Sequence, residues 1–177
     1  MGSSRRLSHR ISEGDGIAII VRVSDAGSAR AAEEQGAKAL GIDRAIEGIR
    51  EATTLPLLWL AAGEPADCDA VALRSGDGDG GEIETVTEVR DEDELEQALE
   101  GHDPEVFLIS PSAGGEADLI ELALELLEDV PAGKLAIADV DVADREEVLK
   151  LERAGFDAVL VAPGDVGSLV GHSPPDV

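Results

Sequence analysis

The sequence is poor in cysteine and in aromatic residues. Cys68 is the single cysteine, so neither an internal disulfide nor a cysteine-based zinc site can form. Tyrosine is absent, and one tryptophan and two phenylalanines are the only aromatic side chains. No apolar run approaches the roughly 20 residues of a membrane span, and no apolar stretch follows the N-terminal arginines as in a secretory signal. We therefore expect a protein of a reducing cytoplasm that has no membrane partner.

Basic residues are also scarce. Asp and Glu number 39 against 14 Lys and Arg, which gives a formal net charge of −25. Self-repulsion at this charge opposes a compact state in dilute buffer, whereas at 1 M salt the Debye length falls to about 3 Å and screens it. The composition favours a halophilic protein, with an ordinary acidic protein as the alternative. It disfavours a nucleic-acid partner, which needs a basic face.

Short apolar runs alternate with helical patterns along the chain. Alternating strands and helices of this length predict a parallel sheet closed into a compact (β/α)8 barrel of the TIM type. An open doubly wound parallel sheet is the alternative. The predicted strands cover residues 17–23, 38–42, 56–61, 69–73, 85–89, 106–109, 135–138 and 157–161.

The pattern predicts one domain over residues 16–171, with a flexible N-terminal arm at 1–15 and a C-terminal tail at 172–177. Two connections, residues 62–68 and 74–84, are too short for the dozen or so residues of a helical crossover. We expect two outer helices to be lost there and the chain to return as loops; a local hairpin is the alternative.

Helix caps and an internal repeat add detail to this prediction. Ser28 and Asp43 are each predicted to cap a helix, and Asp91 with Glu94 has the capping-box spacing. Asp144 with Glu147 repeats that spacing before a helix that ends at Gly155. The tripeptide at 69–71 recurs at 157–159, each time at the start of a predicted strand.

One segment resembles a known enzyme family. The sequence TVTEVRDEDELEQALE at 85–100 is similar to the fifth strand and following helix of indole-3-glycerol-phosphate synthase, where Glu-Val-His precedes an acidic cap; here the His is Arg90. Residues 28–42, 46–60 and 135–161 resemble other parts of that family. The resemblance implies a phosphate-binding barrel, with Glu88 at the position of a catalytic glutamate and Asp139 near that of another.

The sequence departs from the family where the chemistry is concentrated. The family's reaction closes a ring with loss of carbon dioxide and water, and the resemblance implies lysines and a phosphate cradle for it. The family's lysine-bearing and phosphate-binding motifs are replaced at 20–23, 60–62, 110–112, 140–141 and 162–165. Loss of a general acid alone costs about 10²–10⁴ in rate.

Candidate site residues follow from the resemblance and from the strand ends. Glu88 and Asp139 are the candidate catalytic residues. No cofactor is expected. Two candidate metal sites are less favoured than their structural alternatives. For a metal pair of Asp139 and Asp141 with Glu88, the favoured interpretation is a loop carboxylate and a helix cap. For a calcium loop at 77–82, it is a solvated acidic loop. The candidate ligand-binding residues are Arg22, Arg74, Ser110, Ser112, Gly114, Gly115 and Gly164.

Three functions remain open at this point. The first is a degenerate, non-catalytic barrel that binds a small phosphorylated or anionic molecule or a partner. The second is a working carboxy-lyase of tryptophan biosynthesis. The third is a structural domain without a pocket. An inward cluster of Arg22, Glu88 and Arg74 would favour the first two, and a mouth filled by apolar residues would favour the third. The sequence does not indicate an oligomeric state.

Overall fold

A computed structural model describes residues 6–12, 16–61, 68–74, 83–101, 104–111, 118–142, 144–163 and 169. All strand pairs are parallel, and β1 pairs with β8, so the sheet closes in chain order. The predicted (β/α)8 barrel is thereby confirmed, and the open sheet is excluded. The strands are β1 Ala18–Arg22, β2 Ala39–Ile42, β3 Leu57–Trp59, β4 Ala70–Arg74, β5 Glu84–Val89, β6 Val106–Ile109, β7 Leu135–Asp139 and β8 Ala158–Val161.

Helices lie between many of the strands. The described helices are α1 Arg6–Ser12, α2 Ala26–Glu34, α3 Ile49–Ala52, α4 Glu92–Gly101, α5 Leu119–Glu128 and α6 Arg145–Ala154. None of them is long and apolar enough to cross a membrane. Residues 62–67 and 75–82 lie outside the described residues, so the expected loops there remain a prediction, as do the barrel limits at 16 and 171.

Successive strand residues alternate between two cores. In β1, Ile20 is buried inside the barrel, whereas Ile19 and Val21 pack outward in the cluster beneath the helices. This two-residue period is the pleat of a β-strand. Because strands and helices are both needed to bury the outer cluster, the barrel and its helical layer share this second core.

Helix α1 corrects the expectation of a flexible arm for residues 6–12. Leu7 and Ile11 are 0% and 2% exposed and belong to the cluster inside the barrel. The Glu84 carboxylate at the start of β5 accepts hydrogen bonds from Leu7 N (3.1 Å) and Ser8 N (3.3 Å). It thereby satisfies two amides that a helix N-terminus leaves without partners. The helix thus closes the N-terminal end of the barrel.

Two helix starts differ from the prediction. Helix α2 begins after Asp25, whose carboxylate accepts from Ser28 N at 2.6 Å, so Ser28 is the third helical residue and not the cap. The helix expected after Asp43 begins only at Ile49, after Gly48 in the left-handed region at φ 77°. Asp91 and Asp144 do cap α4 and α6, as predicted, by accepting from Glu94 N and Glu147 N.

The repeated tripeptide marks a repeated structure. Asp69 N donates to Leu57 O, and the Asp69 carboxylate accepts from Leu57 N at 2.8 Å. Asp157 does the same with Ala136, whose N–H lies 2.9 Å from the carboxylate. Each aspartate thus extends the sheet by one residue at the N-terminal end of the barrel, where β4 and β8 begin.

Candidate functional site

The C-terminal ends of the strands surround an open cavity of about 700 Å³. This volume lies within the range of about 300–1,000 Å³ for small-molecule sites, and the same end of TIM barrels carries their active sites. Inward-facing residues reach this mouth because the strands are parallel and their side chains alternate. The described lining residues are Arg22, Leu60, Ala61, Ala72, Leu73, Arg74, Glu88, Arg90, Leu108 and Asp139.

Glu88 lies on β5 and pairs in register with Arg74 on β4 and with Leu108 on β6. Its side chain is 22% exposed, and its Oε1 accepts a hydrogen bond from Arg90 Nε at 3.4 Å. Residues 88 and 90 share a face because they are two positions apart on one extended segment. The ion-pair partner of Glu88 is therefore Arg90, and not Arg22 or Arg74.

Asp139, the last residue of β7, links β1 to β6. Its Oδ1 accepts from Arg22 at 2.6 Å, and its Oδ2 accepts from Ser110 Oγ at 2.9 Å. A charge-assisted contact this short is stronger than a neutral hydrogen bond. The structure thus brings three of the predicted site residues into one network, in which Arg22 and Asp139 are 45% and 24% exposed.

Arg74 ends β4 and extends toward helix α4. One terminal nitrogen lies 3.1 and 3.4 Å from the two carboxylate oxygens of Glu94, on the first turn of α4. Since Asp91 caps the same turn, the helix start fixes the position of Glu94. The sequence predicts Glu94 as part of a capping box, but its pairing with Arg74 has no local signal in the sequence.

The floor of the cavity is apolar. Leu108 is 2% exposed and Ala72 is 8% exposed, and both belong to the cluster inside the barrel. The Leu60 side chain packs closely against Gly41: a Cβ at position 41 would lie only 2.7 Å from Leu60 Cδ1. A smaller cavity of about 150 Å³ shares Arg22 and Leu60 with the first and also contacts Arg44. Charged groups therefore ring a mouth with an apolar base.

The three lysines of the chain lie away from this mouth. Lys38 and Lys134 precede β2 and β7, at the opposite end of the barrel, and Lys150 is on α6. Arginine stays protonated in proteins and does not give up a proton readily. Among the described lining residues, the groups that can exchange protons are therefore the carboxylates of Glu88 and Asp139.

Several predicted residues are not among those that the structure places at the mouth. Ser112, Gly114, Gly115 and Gly164 lie outside the described residues, as does the acidic segment 77–82. Asp141 is exposed just after β7. Within the described ranges, no group of three or more histidine, cysteine or acidic side chains is placed to hold a metal ion, so Asp139, Asp141 and Glu88 do not gather there.

Arg90 is the main lining residue that the sequence analysis did not assign to the site. Its position was noticed, because it stands where the resembled family has a histidine. The available signal was its spacing of two residues from Glu88, which places both side chains on the same face of the segment.

The sequence matches no protein-family model and no curated protein. Among solved structures, the N-acetylmannosamine-6-phosphate 2-epimerase from Clostridium perfringens is similar, with a TM-score of 0.65 and 19% sequence identity. The similarity covers 94% of this chain and 95% of that chain. At this identity, it supports the barrel fold and assigns no activity to this chain.

Proposed function

We propose that this barrel binds a small phosphorylated or anionic molecule in its C-terminal mouth and does not catalyse the indole-3-glycerol-phosphate synthase reaction. One observation carries the proposal: among the described residues that line the 700 Å³ cavity are three arginines and two carboxylates. In the whole chain acidic residues outnumber basic ones by 39 to 14, whereas in the described lining arginines outnumber carboxylates. Arginine is suited to phosphate and carboxylate because its planar fork can donate two parallel hydrogen bonds.

This lining disfavours a purely structural domain, for which we expected a mouth filled by leucine, valine and proline. The similar epimerase is named for a phosphorylated sugar, which agrees with the proposed ligand class. We also propose that the barrel is a degenerate relative of indole-3-glycerol-phosphate synthase that lacks this enzyme's activity.

Binding is tested by thermal melting in a phosphate-free buffer at fixed molar KCl. Glycerol 3-phosphate should raise the melting temperature and glycerol should not, because only the ester carries a group for the arginines. A ligand at 100 times its Kd stabilises the folded state by about 2.7 kcal/mol. Equal, negligible shifts with a panel of phosphate esters and carboxylates would contradict the proposed function.

The absence of lyase chemistry is a separate prediction. The reaction must expel a hydroxyl group and therefore needs a proton donor within hydrogen-bond reach. The lysines lie elsewhere, and Glu88 and Asp139 are each paired with an arginine. We expect no turnover of the ring-opened substrate in molar KCl, measured by indole fluorescence. Turnover that the Glu88→Gln substitution abolishes would instead establish a working lyase.

A further inference from the structure

The charges of the mouth are unevenly distributed around the barrel. On the wall formed by β4 and β5, Arg74 pairs in register with Glu88, and Arg90 follows two residues beyond Glu88. On the other side of the mouth, the described ends of β7 and β8 carry the carboxylates of Asp139 and Asp141 and no basic residue, and Arg22 at the end of the adjacent β1 pairs with Asp139. The β4–β5 wall is therefore the less acidic of the two, and an anionic group meets less repulsion there.

The arginines also differ in how firmly they are held. Arg22 makes a 2.6 Å contact with Asp139, which Ser110 holds from its other oxygen. A ligand that removed Arg22 from this network would leave Asp139, which is only 24% exposed, without its cation. That loss opposes the use of Arg22 as an anchor.

Arg90 is held less firmly. Its contact with Glu88 uses Nε and is 3.4 Å long, and the structure shows no hydrogen bond from its two terminal nitrogens within the described residues. In a planar guanidinium these two nitrogens form an edge that can bind an anion bidentately while Nε keeps its partner. Arg90 is 44% exposed, so this edge is accessible from the cavity.

We infer that the anionic group of the ligand binds at the rim to the two terminal nitrogens of Arg90, on the β4–β5 wall, and that the ligand extends inward past Glu88. This inference rests on the proposed function and adds an orientation to it. Glu88 lies two residues deeper on the same face as Arg90 and level with Leu108, and its carboxylate can accept a hydrogen bond from a ligand hydroxyl. The ligand class that fits is a phosphate monoester whose carbon chain bears hydroxyl groups.

Two charge-neutral double variants test this placement. Arg90→Gln with Glu88→Gln removes one arginine together with its partner carboxylate, and Arg22→Gln with Asp139→Asn does the same on the other side. We expect the first pair to weaken inorganic phosphate and glycerol 3-phosphate by about tenfold or more, and the second by less than about threefold. Isothermal titration calorimetry at fixed molar KCl measures both. Arg44→Gln with Asp43→Asn, an ion pair at the neighbouring small cavity, is the matched charge-neutral control.

The single variant Glu88→Gln is an independent test if a double variant does not fold. Removing this carboxylate should strengthen the binding of inorganic phosphate, because a negative charge next to the subsite is lost. It should also reduce the preference for glycerol 3-phosphate over phosphate, because a hydroxyl acceptor is weakened. Weaker phosphate binding, or an unchanged preference, would contradict the inference.

The outcomes separate the two proposals. If the wild-type protein binds none of the phosphate esters and carboxylates, the proposed function fails. If it binds carboxylates alone, the proposed function stands and the phosphate-monoester class is wrong. If it binds them, but the Arg22 and Asp139 pair matters as much as or more than the Arg90 and Glu88 pair, the proposed function stands and the placement on the β4–β5 wall is wrong.

Discussion

Asp69 and Asp157 accept the same type of backbone hydrogen bond but differ in charge compensation. Asp69 is paired with Arg50, whose terminal nitrogen lies 2.8 Å from the carboxylate. Asp157 accepts from the backbone of Ala136, and burial raises the pKa of its carboxyl above the ordinary value despite that hydrogen bond. A buried carboxylate without a cation is costly to ionise. The two aspartates therefore allow a matched comparison of charge at one structural position.

We expect Asp157→Asn to stabilise the protein relative to wild type as the pH rises. An acid whose pKa is raised on folding contributes stability at a pH below its unfolded pKa, and this contribution is lost as the pH rises through the folded pKa. Asparagine keeps an oxygen that accepts from Ala136 N and has no charge to bury. The melting temperature of Asp157→Asn, measured relative to that of the wild type, should thus rise between about pH 4 and neutral pH.

Asp69→Asn is the control for that prediction. It keeps the same backbone acceptor but leaves Arg50 without its carboxylate, so we expect it to lower the stability at neutral pH by about 1–2 kcal/mol. If both asparagine variants changed the melting temperature equally at every pH, the assignment of the Asp157 shift to uncompensated burial would be wrong.

Part of the candidate site was predictable from single residues. Glu88 and Asp139 are predicted by the family resemblance, and Arg22 and Arg74 by their positions at strand ends; the structure places all four around one cavity. The pairing of Arg22 with Asp139 was not predictable, since the two residues are 117 positions apart and meet only when the barrel closes. Long-range pairs of this kind depend on strand register, which local sequence does not encode.

At the scale of elements, helix α1 was the largest error of the sequence analysis. Its seven residues offer two apolar positions, Leu7 and Ile11, at a spacing of four. Isolated helices of this length are unstable in water, so propensity gives almost no signal. The helix is stabilised by the apolar interior of the barrel and by the Glu84 carboxylate on β5, and neither is visible in the local sequence.

The docking of α1 is testable with one substitution. Leu7→Ala should destabilise the protein by about 2–4 kcal/mol, because a fully buried leucine loses its apolar contacts and leaves a cavity. Urea unfolding followed by circular dichroism at fixed salt measures this. Ser12→Ala, on the exposed side of the same helix, is the control, and its effect should stay within about 0.5 kcal/mol. A Leu7→Ala effect no larger than that of the control would show that α1 does not close the barrel in solution.

Helix starts show where local signals compete. Asp25 and Ser28 are both good cap residues, and the sequence analysis selected Ser28 although Asp25 begins the helix. The reciprocal capping box uses both, so the signal was present and the position was shifted by three residues. Helix α3 is a different case: Gly48 at φ 77° delays the helix to Ile49, and a positive φ cannot be read from a glycine alone.

At the scale of the whole molecule, the closed barrel was predictable because its signals are local and repeated. The apolar runs recur with helical patterns between them, and each strand pairs with its sequence neighbour until β8 meets β1. Closure itself follows from the number of strands and the parallel connections, and not from any one residue. The site is less predictable than the fold because it depends on the few residues that break the apolar pattern.

The net charge of −25 belongs to the molecule as a whole and leads to the last prediction. Acidic side chains crowd exposed surfaces such as helix α4, where Glu92, Glu96 and Glu100 follow one another at a spacing of four residues. Like charges at that spacing destabilise a helix. Screening is nearly complete at 1 M salt, where the Debye length is about 3 Å, and weak at 0.1 M, where it is about 10 Å.

We therefore expect the melting temperature, followed by far-UV circular dichroism, to rise steeply between about 0.1 and 2 M KCl. At the low end the protein should be partly unfolded, because repulsion among the carboxylates then acts at full range. Sucrose at equal osmolality is the control, since it favours compact states by exclusion from the protein surface and does not screen charge. A melting temperature that KCl leaves unchanged, or that sucrose raises equally, would remove the interpretation of this composition as an adaptation to salt.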